Sequence, residues 1–216
     1  MPAASSTQRT TWLLIGALVT VGLLVLSGWQ PFDRLTWFME VLPVIIVLPL
    51  LAATQRSHPL TPLLYVCIFA HAVVLIGGGA YTYARVPLGF DIQAWLHLSR
   101  NPYDKIGHFF QGFVPALAAR EVLLRGQYIK GRRMLAFLVV CVVLAVSATY
   151  ELIEWAAAVI MGQGADEFLG TQGDPFDTQS DMFFALIGSV VALTLFAPWQ
   201  DRQLAGLAAQ TPSETS

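Results

Sequence analysis

Apolar segments long enough to cross a bilayer occupy most of this chain of 216 residues, and they restrict it to a bundle of membrane helices. The composition agrees, because 56% of the residues are hydrophobic, only 12% are charged and the mean hydropathy is +0.61. A soluble domain carries about 25% charged residues. We therefore predict an all-α, polytopic membrane helix bundle of about six transmembrane helices. The predicted spans are Trp12 to Gly28, Thr36 to Ala53, Leu60 to Gly79, Ile106 to Leu124, Met134 to Met161 and Asp181 to Trp199.

The chain reads as a single transmembrane domain (12–200) between two cytoplasmic tails (1–11 and 201–216). Its basic residues predict the orientation, because Lys and Arg concentrate on the cytoplasmic side. Arg9, Arg56 and the segment RGQYIKGRR (125–133) all fall on one side of a six-span bundle, so both termini are predicted to be cytoplasmic. The net charge of −2 gives no indication of a nucleic-acid partner. Membrane lipids are the expected partners, and the sequence identifies no protein partner.

Two glutamates, Glu151 and Glu154, lie inside the fifth predicted span. An ionisable side chain at membrane depth costs about 2.5–3.5 kcal/mol, so each one needs a physical reason. Asp174, Asp177 and Asp181 follow shortly afterwards, at the start of the sixth span. These five residues are more than a third of the 14 acidic residues in the chain, so the polar cost is concentrated in one region.

Polar residues on two further spans are expected to meet this region. Asp104 and His108 are four residues apart and share one helical face at the outer start of the fourth span, and His71 lies past the middle of the third. Alternating span directions place these side chains at about the same depth as Glu151, near the outer boundary of the membrane. We therefore predict one acidic and histidine-containing pocket that opens outward.

Carboxylates and imidazoles that converge from separate helices are the usual ligands of zinc and other divalent ions. Such an ion lowers the pKa of a bound water and supplies a nucleophile for hydrolysis. The candidate catalytic residues are Glu151, Glu154, His108 and Asp181. The candidate ligands of a divalent metal, with Asp104 behind them, are Glu151, Glu154, His108, Asp177, Asp181 and His71.

Other interpretations of the same residues remain open. Without a metal, two carboxylates three residues apart can share a proton and serve general acid–base chemistry or a proton relay. The two glutamates can also hold helices together by pairing with Lys105 or Arg85. Neither an HExxH motif nor a GxSxG nucleophile elbow occurs in the sequence.

Two long segments carry a family resemblance: NPYDKIGHFFQGFVPALAARE (101–121) and YELIEWAAAVIMGQGADEFLGTQGDPFDTQSDMFFALIG (150–188). They resemble the YjdF-type bacterial inner-membrane proteins, a family of unknown function, and the earlier segments match the same family. The resemblance covers nearly the whole chain and implies a multi-pass protein of the bacterial inner membrane. It implies no particular activity.

The chain is also similar, more distantly, to the VanZ-like membrane family. The residues that match the pattern of that family are Asp104, Lys105, His108, Glu151, Asp181 and Gly188. Ala185 stands where that pattern has an asparagine, and the arginine expected before the aspartates is missing. The resemblance therefore implies a shared arrangement of polar residues and not a shared activity.

Three classes of function follow from these observations. The first is a membrane-embedded enzyme, metal-assisted, that acts on a lipid-linked or envelope substrate at the outer leaflet. The second is a proton-coupled transporter, which is disfavoured by the absence of a visible internal repeat. The third is a non-catalytic envelope protein that binds a lipid or a protein partner.

Overall fold

The computed structural model describes residues 6–161 and 172–209, and these residues are almost entirely helical. A 3₁₀ turn (Tyr83–Arg85) and a π-helical turn (Ala192–Phe196) interrupt the series of α-helices. The helices are α1 (Ser6–Trp29), α2 (Arg34–Thr54), α3 (Pro62–Tyr81), α4 (Pro87–Leu96), α5 (Tyr103–Arg125), α6 (Arg132–Met161), α7 (Asp177–Val191) and α8 (Ala197–Ala208).

Five helical stretches are long and apolar enough to cross a membrane: α1, α2, α3, α6 and the path from α7 through α8. They contain the first, second, third, fifth and sixth predicted spans, so the prediction of a polytopic helical membrane protein is confirmed. The fourth predicted span is α5, which has 23 residues and sufficient length. Helix α5 is not among the five apolar stretches because it contains several polar and charged residues. The six-span count and the cytoplasmic position of both termini therefore stay predictions.

Helix α5 lies at the centre of the bundle, where it packs against α3, α6 and most extensively α7. Glycine makes the contact with α7 close. A Cβ atom at Gly112 would lie 1.8 Å from the carbonyl oxygen of Ala185, and one at Gly188 would lie 2.1 Å from that of Phe109. Small residues allow two membrane helices to approach backbone to backbone in this way. The contact fixes the position of α7 relative to α5.

The apolar core surrounds α5. Its fully buried members include Leu64, Leu117, Val139, Val143 and Ala185, which come from α3, α5, α6 and α7. Helix α1 is peripheral by comparison. In its most apolar 18-residue stretch 6% of the residues are buried inside the protein, against 44% in the corresponding stretch of α3. The exposed apolar side chains of α1 therefore face lipid.

Capping and proline residues define the ends of several helices. The Asp33 carboxylate accepts a hydrogen bond of 2.7 Å from the Thr36 amide and caps α2. That hydrogen bond lowers the pKa of Asp33. Helix α4 begins with Pro87 at its first position, which favours helix initiation, and ends at His97 in a left-handed conformation (φ 53°). This helix lies between the third and fourth predicted spans, where no helix was predicted.

The segment between the fifth and sixth predicted spans (162–180) is described only from residue 172 onward. The outermost residues of the two predicted tails also lie outside the described part of the chain. Within the described residues, α1 begins at Ser6 and α8 continues to Ala208, so helix extends into both predicted tails.

Candidate functional site

Three of the predicted residues form a compact group at the junction of α5 and α7. Asp104 and His108 are one turn apart on α5, and Asp181 lies in the first turns of α7. The His108 Nε2 atom is 3.4 Å from Asp104 Oδ1 and 3.7 Å from Asp181 Oδ1. All three side chains are at least nine-tenths buried, and one potential ligand atom from each lies within 4.8 Å of the others. The group has the size of a metal-binding site.

Gln111 controls the orientation of the histidine ring. The amide oxygen of Gln111 lies 2.9 Å from His108 Nδ1, and an amide oxygen can only accept a hydrogen bond. Nδ1 therefore carries a proton and donates to Gln111. In the neutral imidazole this leaves the lone pair on Nε2, directed toward the two aspartates. A bare lone pair facing two carboxylates is repulsive, so Nε2 requires a proton or a cation.

Two cations border the group. Lys105 Nζ lies 2.6 Å from Asp181 Oδ1, 2.8 Å from Asp177 Oδ1 and 3.4 Å from Asp104 Oδ2. Arg100 lies between Asp177 and Asp174, at 2.8 Å from each. Asp177 therefore binds cations at the edge of the group and is not one of the three central residues. Lys105 pairs with aspartates, which contrasts with the interpretation that it pairs with the two glutamates.

Glu151 approaches the group from α6. Its Oε1 atom lies 3.9 Å from His108 Nδ1, is buried and has no hydrogen-bond partner among the described residues. The Ser147 hydroxyl, one turn earlier on α6, is also buried without a described partner. A buried polar oxygen left unpaired costs about 1–3 kcal/mol, so native proteins satisfy such atoms with water or ions. The Oε1 atom of Glu151 is such an unpaired oxygen at the edge of the Asp–His group.

Glu154 is half-buried and faces a further carboxylate that the sequence analysis missed, Glu40 on α2. Glu40 is 7% exposed, and the Tyr150 hydroxyl donates to it at 3.4 Å. Tyr83 lies beside Glu40, and burial, followed by the charge of Glu40, raises its pKa well above the usual range. Tyr83 is therefore a neutral hydrogen-bond donor. The rule that identified Glu151, an ionisable residue within an apolar span, also applies to Glu40.

His71 lies apart from the three central residues. Its ring stacks on Phe110 with a centroid separation of 6.0 Å, and its Nε2 atom is buried with no described hydrogen-bond partner. The side chain lines the large cavity described next. The structure therefore places His71 near the predicted site and outside its centre.

A cavity of about 1340 Å³ leads away from the Asp–His group. One end is polar and includes Glu40, Asp104 and His108; the rest is lined mainly by apolar side chains of α1, α2, α3 and α5. The apolar part runs toward Arg9, at the end of the bundle that carries the basic residues. The predicted pocket opens outward, whereas this cavity approaches the Asp–His group from the opposite direction, so the outward opening stays a prediction.

A second buried polar network lies at the other end of α5 and provides a contrast. The Glu121 carboxylate is fully buried and accepts from the Thr61 amide at 3.0 Å, from the Thr61 hydroxyl at 2.7 Å and from Gln200 Nε2 at 3.3 Å. Arg125 lies 3.3 Å from it. Every polar atom of Glu121 has a partner, so this network ties α3, α5 and α8 together. Among the carboxylates that the structure describes, one buried oxygen has no hydrogen-bond partner, and it is Glu151 Oε1 at the Asp104 end.

The fold and this buried group define a polytopic helical membrane protein with an Asp–His cluster inside the bundle. A family model described as "Predicted membrane protein (DUF2238)" matches residues 11–202, and the chain belongs to that family. It is 63% identical over 198 residues to the inner membrane protein YjdF of Escherichia coli (strain K12), covering 92% of this chain and 95% of that protein. The chain is therefore a multi-pass inner-membrane protein, as its resemblance to YjdF-type proteins implied. No solved structure matches it significantly.

Proposed function

We propose that the protein is a membrane-embedded, metal-assisted hydrolase that acts on a lipid-linked or envelope substrate at the outer leaflet. Asp104, His108 and Asp181 would bind one divalent cation. The observation that carries the proposal is the position of the His108 Nε2 atom, which lies 3.4 and 3.7 Å from the oxygens of two aspartates on different helices.

The spacing of these atoms fits a transition metal. Ligand atoms bound at about 2.0–2.2 Å in tetrahedral geometry are roughly 3.4 Å from one another. The hydrogen bond from His108 Nδ1 to Gln111 supports the same interpretation, because metal-bound histidines usually donate their other N–H to a fixed acceptor. The aspartates supply the oxygen ligands that hard and borderline divalent ions accept.

Asp104, His108 and Asp181 would hold the metal with three protein ligands, as in catalytic metal sites, and the metal would supply an activated water for hydrolysis. Glu151 is the candidate general base, because its Oε1 atom is buried, unpaired and 3.9 Å from the histidine ring. Lys105 is placed to stabilise negative charge that develops on the substrate, since its ammonium group already contacts Asp181 at 2.6 Å. Glu154 and Glu40 line the approach from the cavity.

Metal analysis tests this proposal. Protein purified in mild detergent should contain close to one equivalent of zinc, manganese or another divalent transition metal, and Asp181→Asn should lose most of it. The matched control is Asp174→Asn, which alters a partly exposed carboxylate that pairs with Arg100 outside the central group. A metal-free wild type whose thermal stability does not respond to added divalent ions would refute the proposal.

A proton-coupled transporter is the second candidate, favoured by the carboxylates Glu40 and Glu154 and the hydroxyl of Tyr150 along one wall of the cavity. Proteoliposomes that contain a pH-sensitive dye should then acidify under an imposed potential. Glu154→Gln should abolish the proton flux, because the amide cannot carry a proton through the relay. A flux that is unchanged in Glu154→Gln would exclude this role.

A further inference from the structure

The cavity beside the Asp–His group has the form of a channel for an apolar chain. Its lining on α5 extends from Asp104 to Val122, a rise of about 27 Å at 1.5 Å per residue. The hydrocarbon core of a bilayer is about 30 Å thick, so one leaflet accounts for about 15 Å. The cavity is therefore nearly twice as long as the acyl region of a single leaflet.

The volume of the cavity also exceeds that of a site for a small soluble molecule. It measures about 1340 Å³, whereas pockets for drug-sized ligands are about 300–1,000 Å³. Its charged or strongly polar side chains are concentrated at the two ends, near Asp104 and near Arg9. An amphipathic molecule with a long apolar chain matches this distribution.

Helix α1 forms a wall through which such a molecule can enter from the membrane. Few of its side chains are buried inside the protein, and its N-terminal half lines the cavity. Gly16 leaves space in that wall, because a Cβ atom added there would have no neighbour within 4 Å. A lipid chain can therefore lie between α1 and α5 with little rearrangement of the bundle.

We propose that the cavity holds the chain of a long polyprenyl phosphate, with the phosphate at the Asp104–His108 end and the chain directed toward Arg9. The proposal rests on the hydrolase function above, because the phosphate oxygens would meet the divalent cation there. The cavity is long enough for a lipid chain that exceeds the thickness of one leaflet. The acyl chains of phospholipids do not reach that length, whereas the chains of isoprenoid carrier lipids do.

Native mass spectrometry of the detergent-purified protein tests the choice of lipid. The probes are undecaprenyl phosphate, farnesyl phosphate and phosphatidylglycerol, each added with and without the metal found in the wild type. Undecaprenyl phosphate should bind at least about tenfold more tightly than farnesyl phosphate, since the loss of two buried methylene groups already has that effect. Equal binding of the two chain lengths, or equal binding of phosphatidylglycerol, would refute the proposal.

Two pairs of substitutions test the location of the chain. Gly16→Phe fills the cavity and should weaken binding of undecaprenyl phosphate at least about tenfold, whereas Gly22→Phe, on the same helix in open space outside the lining, should not. On α2, Val47→Trp should weaken binding and its neighbour Ile46→Trp, which faces lipid, should not. If both members of each pair behave alike, the chain does not lie in this cavity.

Arg9 provides a test of orientation. Its guanidinium has a buried nitrogen without a described hydrogen-bond partner at the far end of the cavity. Arg9→Gln should weaken binding of undecaprenyl phosphate less than Gly16→Phe does if the phosphate lies at the Asp104 end, and a larger loss would place the phosphate at Arg9 and refute the proposed orientation.

The metal content of the same variants separates this proposal from the proposed function. Gly16→Phe should keep its metal while it loses the lipid. A protein that contains metal and shows no preference for long chains would refute the lipid proposal alone.

Discussion

Replacement of Gly112 by alanine tests how the central helix pair positions the site. The added Cβ atom would lie 1.8 Å from the carbonyl oxygen of Ala185, and ordinary van der Waals contact begins at 3.4 Å. The position of the Cβ atom is fixed by the backbone of α5, and the atom that it meets belongs to the backbone of α7, so no side-chain rotation relieves the clash. Helices α5 and α7 must therefore separate locally by about 1.6 Å.

The separation acts directly on the Asp–His group, because Lys105 and His108 lie on α5 and Asp181 lies on α7. The contact between Lys105 Nζ and Asp181 Oδ1, now 2.6 Å, would lengthen beyond hydrogen-bond distance. Overpacking costs about 1–3 kcal/mol, and disruption of a buried ion pair adds to this cost. Alanine returns only about 0.5–1 kcal/mol through its helix propensity. We expect a net loss of about 2–4 kcal/mol, or roughly 4–16 °C in the unfolding temperature for a chain of this size.

Thermal unfolding in detergent, followed by tryptophan fluorescence, measures this effect, and metal analysis of the same samples measures its consequence for the site. Gly22→Ala is the matched control, since its added Cβ atom meets no neighbour within 4 Å. The control should unfold at or slightly above the wild-type temperature. If Gly112→Ala matches this control in both stability and metal content, the close contact between α5 and α7 does not position the site.

Two further predictions concern topology and helix capping. Reporter fusions after Gln127 and after Gln172 should report opposite sides of the membrane, and the same side for both would refute the six-span count. Asp33→Ala should destabilise the protein by about 1 kcal/mol at neutral pH, because the cap on α2 is lost. Asp33→Ser should retain most of that stabilisation, because serine also caps helices. The hydrogen bond lowers the folded-state pKa of Asp33, so the stabilisation is complete above the unfolded-state value and is lost as the pH falls through the folded-state value. Thermal unfolding as a function of pH measures the difference, and a deficit in Asp33→Ala that stays constant at acidic pH would contradict this account.

Hydropathy alone located five of the predicted spans, because the length and apolar character of a membrane helix are local properties of the sequence. The proximity of His108, Asp181 and Glu151 followed from two simple rules. Residues four apart share a helical face, and alternating spans bring their outer ends together. These rules need no knowledge of side-chain packing, which explains why a single sequence was sufficient.

Other features depend on packing that a single sequence does not specify. The approach of Gly112 to Ala185 requires a particular rotation of two helices, and many glycines in membrane spans make no such contact. Arg100 lies in a loop and binds Asp174 and Asp177, which are more than 70 positions away in the sequence. The position of Glu40 opposite Glu154 also depends on the packing of α2. Its presence within an apolar span was nevertheless a visible signal.

The two ends of α5 explain why this helix is too polar to be recognised as a membrane span by composition. At one end, the carboxylate of Glu121 has a partner for each oxygen and connects three helices, which is a structural role that apolar packing could largely replace. At the other end, Asp104 and His108 lie close to Asp181 and to Glu151, whose buried Oε1 atom has no hydrogen-bond partner among the described residues. A cluster of this kind is costly to the fold, and its retention beside a long apolar cavity is most simply explained by a ligand that completes it. Burial in the centre of the bundle shields both ends from lipid, so α5 can carry polar residues that no peripheral helix of this protein could tolerate.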